Sequence, residues 1–186
     1  LDEAKWPAPY RYKLFRSSNF SSDFEEIFSS DLANSFSELD TLFVDQNLNT
    51  EEDQYSYRIQ LFSGSDEDLV GSSRAASSIY LSSSPGDNKL RLSWSVDVPW
   101  KNEFYVIYKE HSNPDSVGVF YPLDTISTIN YIDSNLVNLR EYRYLVRSIG
   151  AYSSIDFPQT LSNWSQIHAG TPIDNEAPCT PPDQIV

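Results

Sequence analysis

The sequence predicts an all-β protein of short antiparallel strands, and three observations carry that prediction. Runs such as residues 55–62 and 89–96 alternate apolar and polar side chains with a period of two. Clusters of Ser, Gly, Pro, Asn and Asp separate these runs, as turns do. Aromatic residues make up 14% of the 186 positions, which supplies a packed core and excludes a disordered acidic chain.

The individual elements follow from the same patterns. We predict strands at residues 10–15, 55–62, 89–96, 104–108, 125–132 and 142–146. Turns are predicted at residues 63–68, 83–88 and 112–115. Only residues 20–39 suggest a short helix or turn, because Phe24, Ile27 and Phe28 lie at helical spacing.

Composition excludes several classes of function. Thirteen Lys and Arg against 27 Asp and Glu give a net charge of −14, which opposes binding to nucleic acid or to anionic lipid. One Cys and two His cannot build a cysteine-rich zinc site, and we expect no metal or other cofactor. No apolar run reaches the roughly 20 residues of a membrane span, and the first residues lack a signal-peptide pattern. The absence of Met leads us to expect that Leu1 is not a natural start.

An internal repeat is the most informative feature of the sequence. Residues 43–59 and 131–146 share an order of residue types with an offset of 88, then 87. The matched pairs are Phe43/Tyr131, Val44/Ile132, Asp45/Asp133, Asn47/Asn135, Leu48/Leu136, Tyr55/Tyr142 and Tyr57/Tyr144. Upstream, residues 13–16 match residues 106–109. Agreement at two places in the same order indicates a duplication, and we interpret the recurring Asp45 and Asp133 as turn residues.

Each copy also contains a leucine followed by a tyrosine. In the second copy, Leu136 would end one strand in the core, and Tyr142 would begin the next strand in the other sheet. Its hydroxyl would then bond back to the crossing loop, as in the tyrosine corner of Greek-key sandwiches. Leu48 and Tyr55 repeat this spacing with one extra residue. Strand tyrosines without this role are the alternative interpretation.

With these features, residues 78–173 resemble a fibronectin type III module. Residues 78–81, 90–94, 104–109, 117–121, 125–132, 142–148 and 163–168 are similar to its strands A, B, C, C′, E, F and G. The resemblance implies tandem fibronectin type III, immunoglobulin-like Greek-key sandwiches. Residues 1–77 match only from strand C onward, so we expect an incomplete module without strands A and B. Residues 174–186 resemble a linker and the start of a following module.

A narrower resemblance concerns residues 142–152 and 171–182, which look like tandem modules of Bacteroidota surface proteins exported by type IX secretion, the gliding-motility-associated family. It implies a secreted, outer-membrane-associated location and a protein partner such as a secretion or motility complex. It also implies O-glycans on Asp-(Ser/Thr)-apolar triplets, which here would modify Thr41, Ser116 and Thr125. Strand or turn chemistry alone would also produce such triplets. Cys179 would lack the intramodule cysteine partner often found in that family.

The chemical candidates are few. The acidic clusters at residues 51–53 and 66–68 match no calcium loop, and we interpret them as solvated charge. Nucleophile elbows, phosphate loops and paired metal-binding histidines are absent from the sequence. Trp100 and Tyr105 are placed near the predicted B–C loop, where they would stack on a sugar or simply pack the loop.

We therefore expect a non-catalytic structural or recognition segment of a larger cell-surface protein. The first rival is a carbohydrate-binding accessory module of a polysaccharide-degrading enzyme. The second is an enzyme, which would require a cleft with two converging titratable groups.

Overall fold

The computed structural model describes residues 4–40, 42–155 and 158–175. Over these residues the chain forms the strands β1 Tyr10–Ser18, β2 Glu25–Ser29, β3 Tyr55–Ser63, β4 Asp68–Ser72, β5 Ala76–Ser77, β6 Tyr80–Gly86, β7 Lys89–Ser95, β8 Lys101–Glu110, β9 Phe120–Ile126, β10 Asn130–Ser134, β11 Tyr142–Ala151, β12 Thr160–Trp164 and β13 His168–Gly170. Short 3-10 helices lie at Phe36–Glu38 and Pro114–Ser116. The predicted all-β class is confirmed.

The first part of the chain forms one antiparallel sheet. Its strand order is β2-β1-β3-β4, and β5 also pairs with β3. The central pair is fully in register from Tyr10↔Ser63 to Ser18↔Tyr55. Aromatic and aliphatic side chains alternate with polar ones along both strands, which favours a sheet with one apolar face.

The second part folds into two sheets packed face to face. One has the order β10-β7-β6 and the other β12-β11-β8-β9, with β13 also paired to β11. Strand β7 alternates exposed and buried residues throughout, so that each inward side chain enters the space between the sheets. The resulting core contains Ile79, Leu81, Leu90, Leu92, Trp94, Tyr105, Ile107, Leu136, Tyr144 and Val146.

The two parts contain the same central strand pair. In β1 and β3, Leu14 faces Ile59 and Arg16 faces Tyr57. In β8 and β11, the positions matched by the repeat, Ile107 and Lys109, face Val146 and Tyr144. The register of the two pairs is therefore identical under the alignment of the repeat.

Of the short helix or turn suggested for residues 20–39, only the 3-10 helix Phe36–Glu38 is present, and the helical reading of Phe24, Ile27 and Phe28 is wrong. Strand β2 lies inside that segment and pairs with β1, placing Phe28 opposite Leu14. The Phe28 ring packs 5.6 Å from the ring of Tyr12 and 4.9 Å from that of Phe43. These contacts are made with residues distant in sequence, and such tertiary packing overrides the weak local preference for a helix that the spacing of Phe24, Ile27 and Phe28 indicates.

Several predicted strand limits also move. The single strand predicted at residues 125–132 is broken, because β9 pairs with β8 whereas β10 crosses to pair with β7. The strand predicted at residues 117–121 begins only at Phe120, after the short helix Pro114–Ser116. The predicted turn at 83–88 shrinks to Asp87 and Asn88, and Pro85 is accommodated because β6 is an edge strand.

Candidate functional site

A buried polar cluster links the two sheets of the second part. Asp133 Oδ2 accepts hydrogen bonds from Lys109 Nζ and from the Tyr144 hydroxyl, each at 2.7 Å. The ammonium group of Lys109 also lies 4.6 Å from the centre of the Tyr142 ring. Burial, then the hydrogen bond to Asp133, raises the pKa of Tyr144 far above its ordinary value.

The first part contains the same cluster at the repeat-matched positions. Arg16 Nη1 donates to both carboxylate oxygens of Asp45, at 3.0 and 3.1 Å. The Tyr57 hydroxyl donates to Asp45 Oδ2 at 3.0 Å, and the guanidinium of Arg16 lies 5.6 Å from the centre of the Tyr55 ring. Burial and the bond to Asp45 raise the pKa of Tyr57 as well.

These clusters correct the interpretation of Asp45 and Asp133 as turn residues. The Asp45 carboxylate instead accepts hydrogen bonds from Arg16 and Tyr57. The Asp133 carboxylate accepts them from Lys109 and Tyr144. The signal was present in the sequence, since a cation, an Asp and a Tyr recur together in both copies. What was missing was the strand register that brings the three residues into contact.

The tyrosines predicted to form corners occupy corresponding places beside these clusters. The Tyr142 hydroxyl accepts a hydrogen bond from the backbone nitrogen of Val137 at 3.0 Å, and Leu136 is buried in the core. The Tyr55 hydroxyl accepts from the backbone nitrogen of Asn49 at 3.3 Å, and Leu48 is half-buried. The loops turn in the same way, because Asn47 and Asn135 have φ angles of 61° and 60°.

The inward faces of the two parts differ sharply in exposure. In the second part Val146 and Ile107 are completely buried under β6 and β7. At the matched positions of the first part, Leu14 is buried but Ile59 is 46% exposed. Among the described residues this sheet has no counterpart of β6 and β7, and Pro99, Trp100 and Tyr152 of the second part line a groove with its residues Leu14, Tyr57 and Ile59.

Hydrogen bonds at the two-residue strand β5 hold the two parts together. Gln54 is 2% exposed, and its Nε2 donates to Ser77 Oγ at 2.9 Å and to the Ser78 carbonyl at 2.8 Å. From the second part, Asn163 Nδ2 donates to the Ser77 carbonyl at 2.8 Å. These bonds fix β5 between the first sheet and the second.

Trp100 lies beside this junction, in a groove of about 470 Å³ that Leu14, Tyr57, Ile59 and Tyr152 also line. Its ring meets that of Tyr152 edge-on at 6.1 Å, and its Nε1 donates to Asn102 Oδ1. A ligand-stacking role for Trp100 remains a prediction.

Tyr105 requires a correction. It lies within β8 rather than in a loop, is 6% exposed, and packs its ring 5.3 Å from that of Trp94 in the core. Its ring is therefore closed to a ligand. Side chains alternate between the two faces of β8, and Tyr105 lies on the inward face. Its closeness in sequence to the predicted loop gave no indication of this.

The remaining predicted sites occupy scattered positions. Ser116 ends the short helix Pro114–Ser116, and Thr125 is exposed on the edge strand β9. Thr41 and Cys179 lie outside the described residues. Glycosylation of the three triplets remains a prediction.

Glu67 and His168 are both engaged in structural contacts. Glu67 bridges Arg11 and Lys13, and the bond from Lys13 lowers its pKa. His168 bonds Ser83 Oγ at 2.9 Å, and burial lowers the pKa of its ring. Within the described ranges no three His, Cys, Asp or Glu side chains are arranged to hold a metal ion. No helix of those ranges is long and apolar enough to cross a membrane.

The second part has the strand order β6-β7-β10 in one sheet and β9-β8-β11-β12 in the other, which is the A-B-E against C′-C-F-G arrangement of a fibronectin type III fold. Solved structures similar to this chain include FN3tt, at 18% identity and a TM-score of 0.33, covering 51% of this chain and 88% of that one. They also include the FN1–FN3 domains of chicken CNTN1, at 12% identity and a TM-score of 0.29. That match covers 89% of this chain and 57% of the other. No protein-family model and no curated protein matches the sequence.

Proposed function

We propose that this chain is a non-catalytic structural and recognition segment of a larger secreted bacterial cell-surface protein. Residues 1–77 form an incomplete module, residues 78–173 a complete one, and residues 174–186 lead to a following module. The observation that carries the proposal is the duplicated Arg/Lys–Asp–Tyr cluster, which stabilises each unit internally and uses its titratable groups for structure. The hydrogen-bonded junction at Gln54 supports a spacer of fixed geometry.

The cellular setting of the proposal comes from the resemblance of residues 142–152 and 171–182 to type IX secretion substrates of Bacteroidota. We place the protein at the outer membrane, with a secretion or gliding-motility complex as its partner. A net charge of −14 suits a protein partner with a basic surface rather than anionic lipid.

Protease shaving tests the location. Intact cells that express the natural protein are treated with proteinase K, and an antibody to residues 78–173 detects what survives. We expect loss of the epitope from intact cells and persistence of a periplasmic control protein. Survival of the epitope until the cells are lysed would contradict the cell-surface placement.

Carbohydrate binding is the second candidate, and the groove beside Trp100 favours it. An indole paired with the phenol of Tyr152 offers apolar surface to a sugar ring. A glycan array followed by Trp100→Ala tests this function, with Trp164→Ala as the control, because Trp164 is an exposed tryptophan packed against Tyr108 elsewhere. An array without binders would remove this candidate.

A further inference from the structure

The groove beside Trp100 is lined by residues of both parts of the chain. Tyr57 and Ile59 line it from the first sheet, and Trp100 and Tyr152 line it from the second part. Arg74 lines it from the segment that connects β4 to β5. The volume of about 470 Å³ is within the range of roughly 300–1,000 Å³ that small-molecule sites occupy. The junction is therefore a concave surface of a size that suits a small ligand.

The aromatic side of the groove is held in place by contacts within the chain. Trp100 Nε1 donates to Asn102 Oδ1 at 3.0 Å, and the indole ring meets that of Tyr152 edge-on at 6.1 Å. Tyr152 is 40% exposed and Ile59 is 46% exposed, so apolar surface is open to solvent on both sides of the groove. Because the indole is already oriented, a ligand that packs against it pays little for ordering the site. Such a surface packs well against the C–H face of a sugar ring.

Arg74 supplies the one charge of the groove lining. It is exposed and takes part in no ion pair and no ring contact of the described residues. Arg16, in contrast, is paired with Asp45, and the guanidinium of Arg58 lies 4.7 Å from the centre of the Phe24 ring. The guanidinium group of Arg74 is thus available to a ligand, and its planar set of donors matches the geometry of a carboxylate.

The charge of the groove is opposite to that of the whole chain. The net charge is −14, yet no Asp or Glu of the described ranges lines the groove. A carboxylate that enters it meets Arg74, while carboxylates more than about 8 Å away are largely screened at physiological ionic strength. The hydroxyl groups of Ser73, in the groove, and of Ser153 and Ser154, in an adjoining cavity that shares Tyr152, provide donors and acceptors for sugar hydroxyls. Charge and surface together favour a sugar that carries a carboxylate.

We propose that this groove binds a uronic acid, the carboxylated sugar unit of acidic polysaccharides. The sugar ring packs against Trp100, and the sugar carboxylate accepts hydrogen bonds from Arg74. The inference rests on the second candidate function, carbohydrate binding. It adds the class of sugar and the residue that selects it.

Isothermal titration calorimetry on the 186-residue chain tests the class of sugar. The probes are the trisaccharides of galacturonic, mannuronic and guluronic acid and their methyl esters, which keep the rings and remove the charge. We expect at least one of the acids to bind with a Kd of about 1 mM or tighter, and its ester to bind at least about 10-fold more weakly.

Two arginine variants test the residue that selects the acid. Arg74→Gln should weaken binding of the acid at least about 10-fold and leave binding of the ester unchanged. Arg91→Gln is the matched control, because Arg91 is exposed on β7 and its loss changes the net charge equally. Trp100→Ala should weaken the acid and the ester together. Both arginines are exposed, so we expect unchanged thermal unfolding midpoints for their variants.

Three results would overturn the proposal. Equal binding of acid and ester that Arg74→Gln leaves unchanged would do so while carbohydrate binding itself still stands. Absence of binding by all three acids would also do so, and the glycan array then decides separately whether other sugars bind. Tighter binding of the peptide Glu-Phe-Glu than of any of the acids, lost in Arg74→Gln and in Trp100→Ala, would make the groove a peptide site instead.

Discussion

Residues 10–77 and 78–173 present one strand pair in two settings. In both, an Arg or Lys, an Asp and a Tyr form a cluster beside a loop that a second tyrosine holds. In the second setting a further layer closes over the cluster, whereas in the first the neighbouring Ile59 stays exposed. The comparison shows that the cluster and the loop form from the sheet and its own crossing segment, without the opposing layer. What the second layer adds is burial, and hence stability.

The largest expected effect on the free energy of unfolding comes from removing the carboxylate of the polar cluster. Asp133→Ala leaves Lys109 buried without its ion partner, and we expect a loss of about 3–5 kcal/mol in the free energy of unfolding of the second part. Asp45→Ala should cost about 1 kcal/mol, because the Arg16 side chain, 29% exposed, regains water. Native-state hydrogen exchange measures both. Equal losses would mean that the second layer does not desolvate the cluster.

The same substitution, isoleucine to alanine, at one position in each part compares the burial of the two inward faces directly. Ile107→Ala opens a cavity between two sheets and should cost about 2–5 kcal/mol. Ile59→Ala removes a side chain that is already half in water, so we expect less than about 1 kcal/mol. Urea unfolding with region-specific probes separates the two. A large loss for Ile59→Ala would show that its face is already covered.

Alkaline pH should weaken both parts through their cluster tyrosines. The folded-state pKa of Tyr144 is raised above its ordinary value of 10, so its contribution to stability is complete below pH 10 and falls as the pH rises toward the folded-state pKa. Tyr144→Phe should flatten the loss of stability above pH 10 by up to about 1.4 kcal/mol per pH unit. Tyr57→Phe should act in the same direction in the first part, because burial and the bond to Asp45 raise its pKa as well. Denaturation midpoints between pH 8 and 11 provide the measurement, and unchanged slopes would contradict the burial of these hydroxyls.

The smallest effect is expected at the corner tyrosines. Tyr142→Phe removes the acceptor of the Val137 backbone nitrogen and should cost about 1 kcal/mol. Tyr55→Phe should cost less, because its bond from Asn49 is longer, at 3.3 Å against 3.0 Å. Thermal unfolding with a Tyr80→Phe control, whose hydroxyl makes only a 3.5 Å exposed contact, checks the order. A larger loss at Tyr55 than at Tyr142 would reverse the ranking.

The sequence by itself determined the strand-rich class, the repeat and the place of each recurring residue, because period-two patterns and matched spacings are local properties of a chain. Tertiary structure alone decided that residues 25–29 pair as a strand, since Phe28 gains its neighbours from β1 and from Phe43. It also decided that Tyr105 is buried while Ile59 is exposed. Both residues lie on inward-facing strand positions, and only the presence or absence of an opposing sheet separates them. A side chain is buried only when a second surface packs against its own, whereas the alternation pattern of a strand describes only one of these two surfaces.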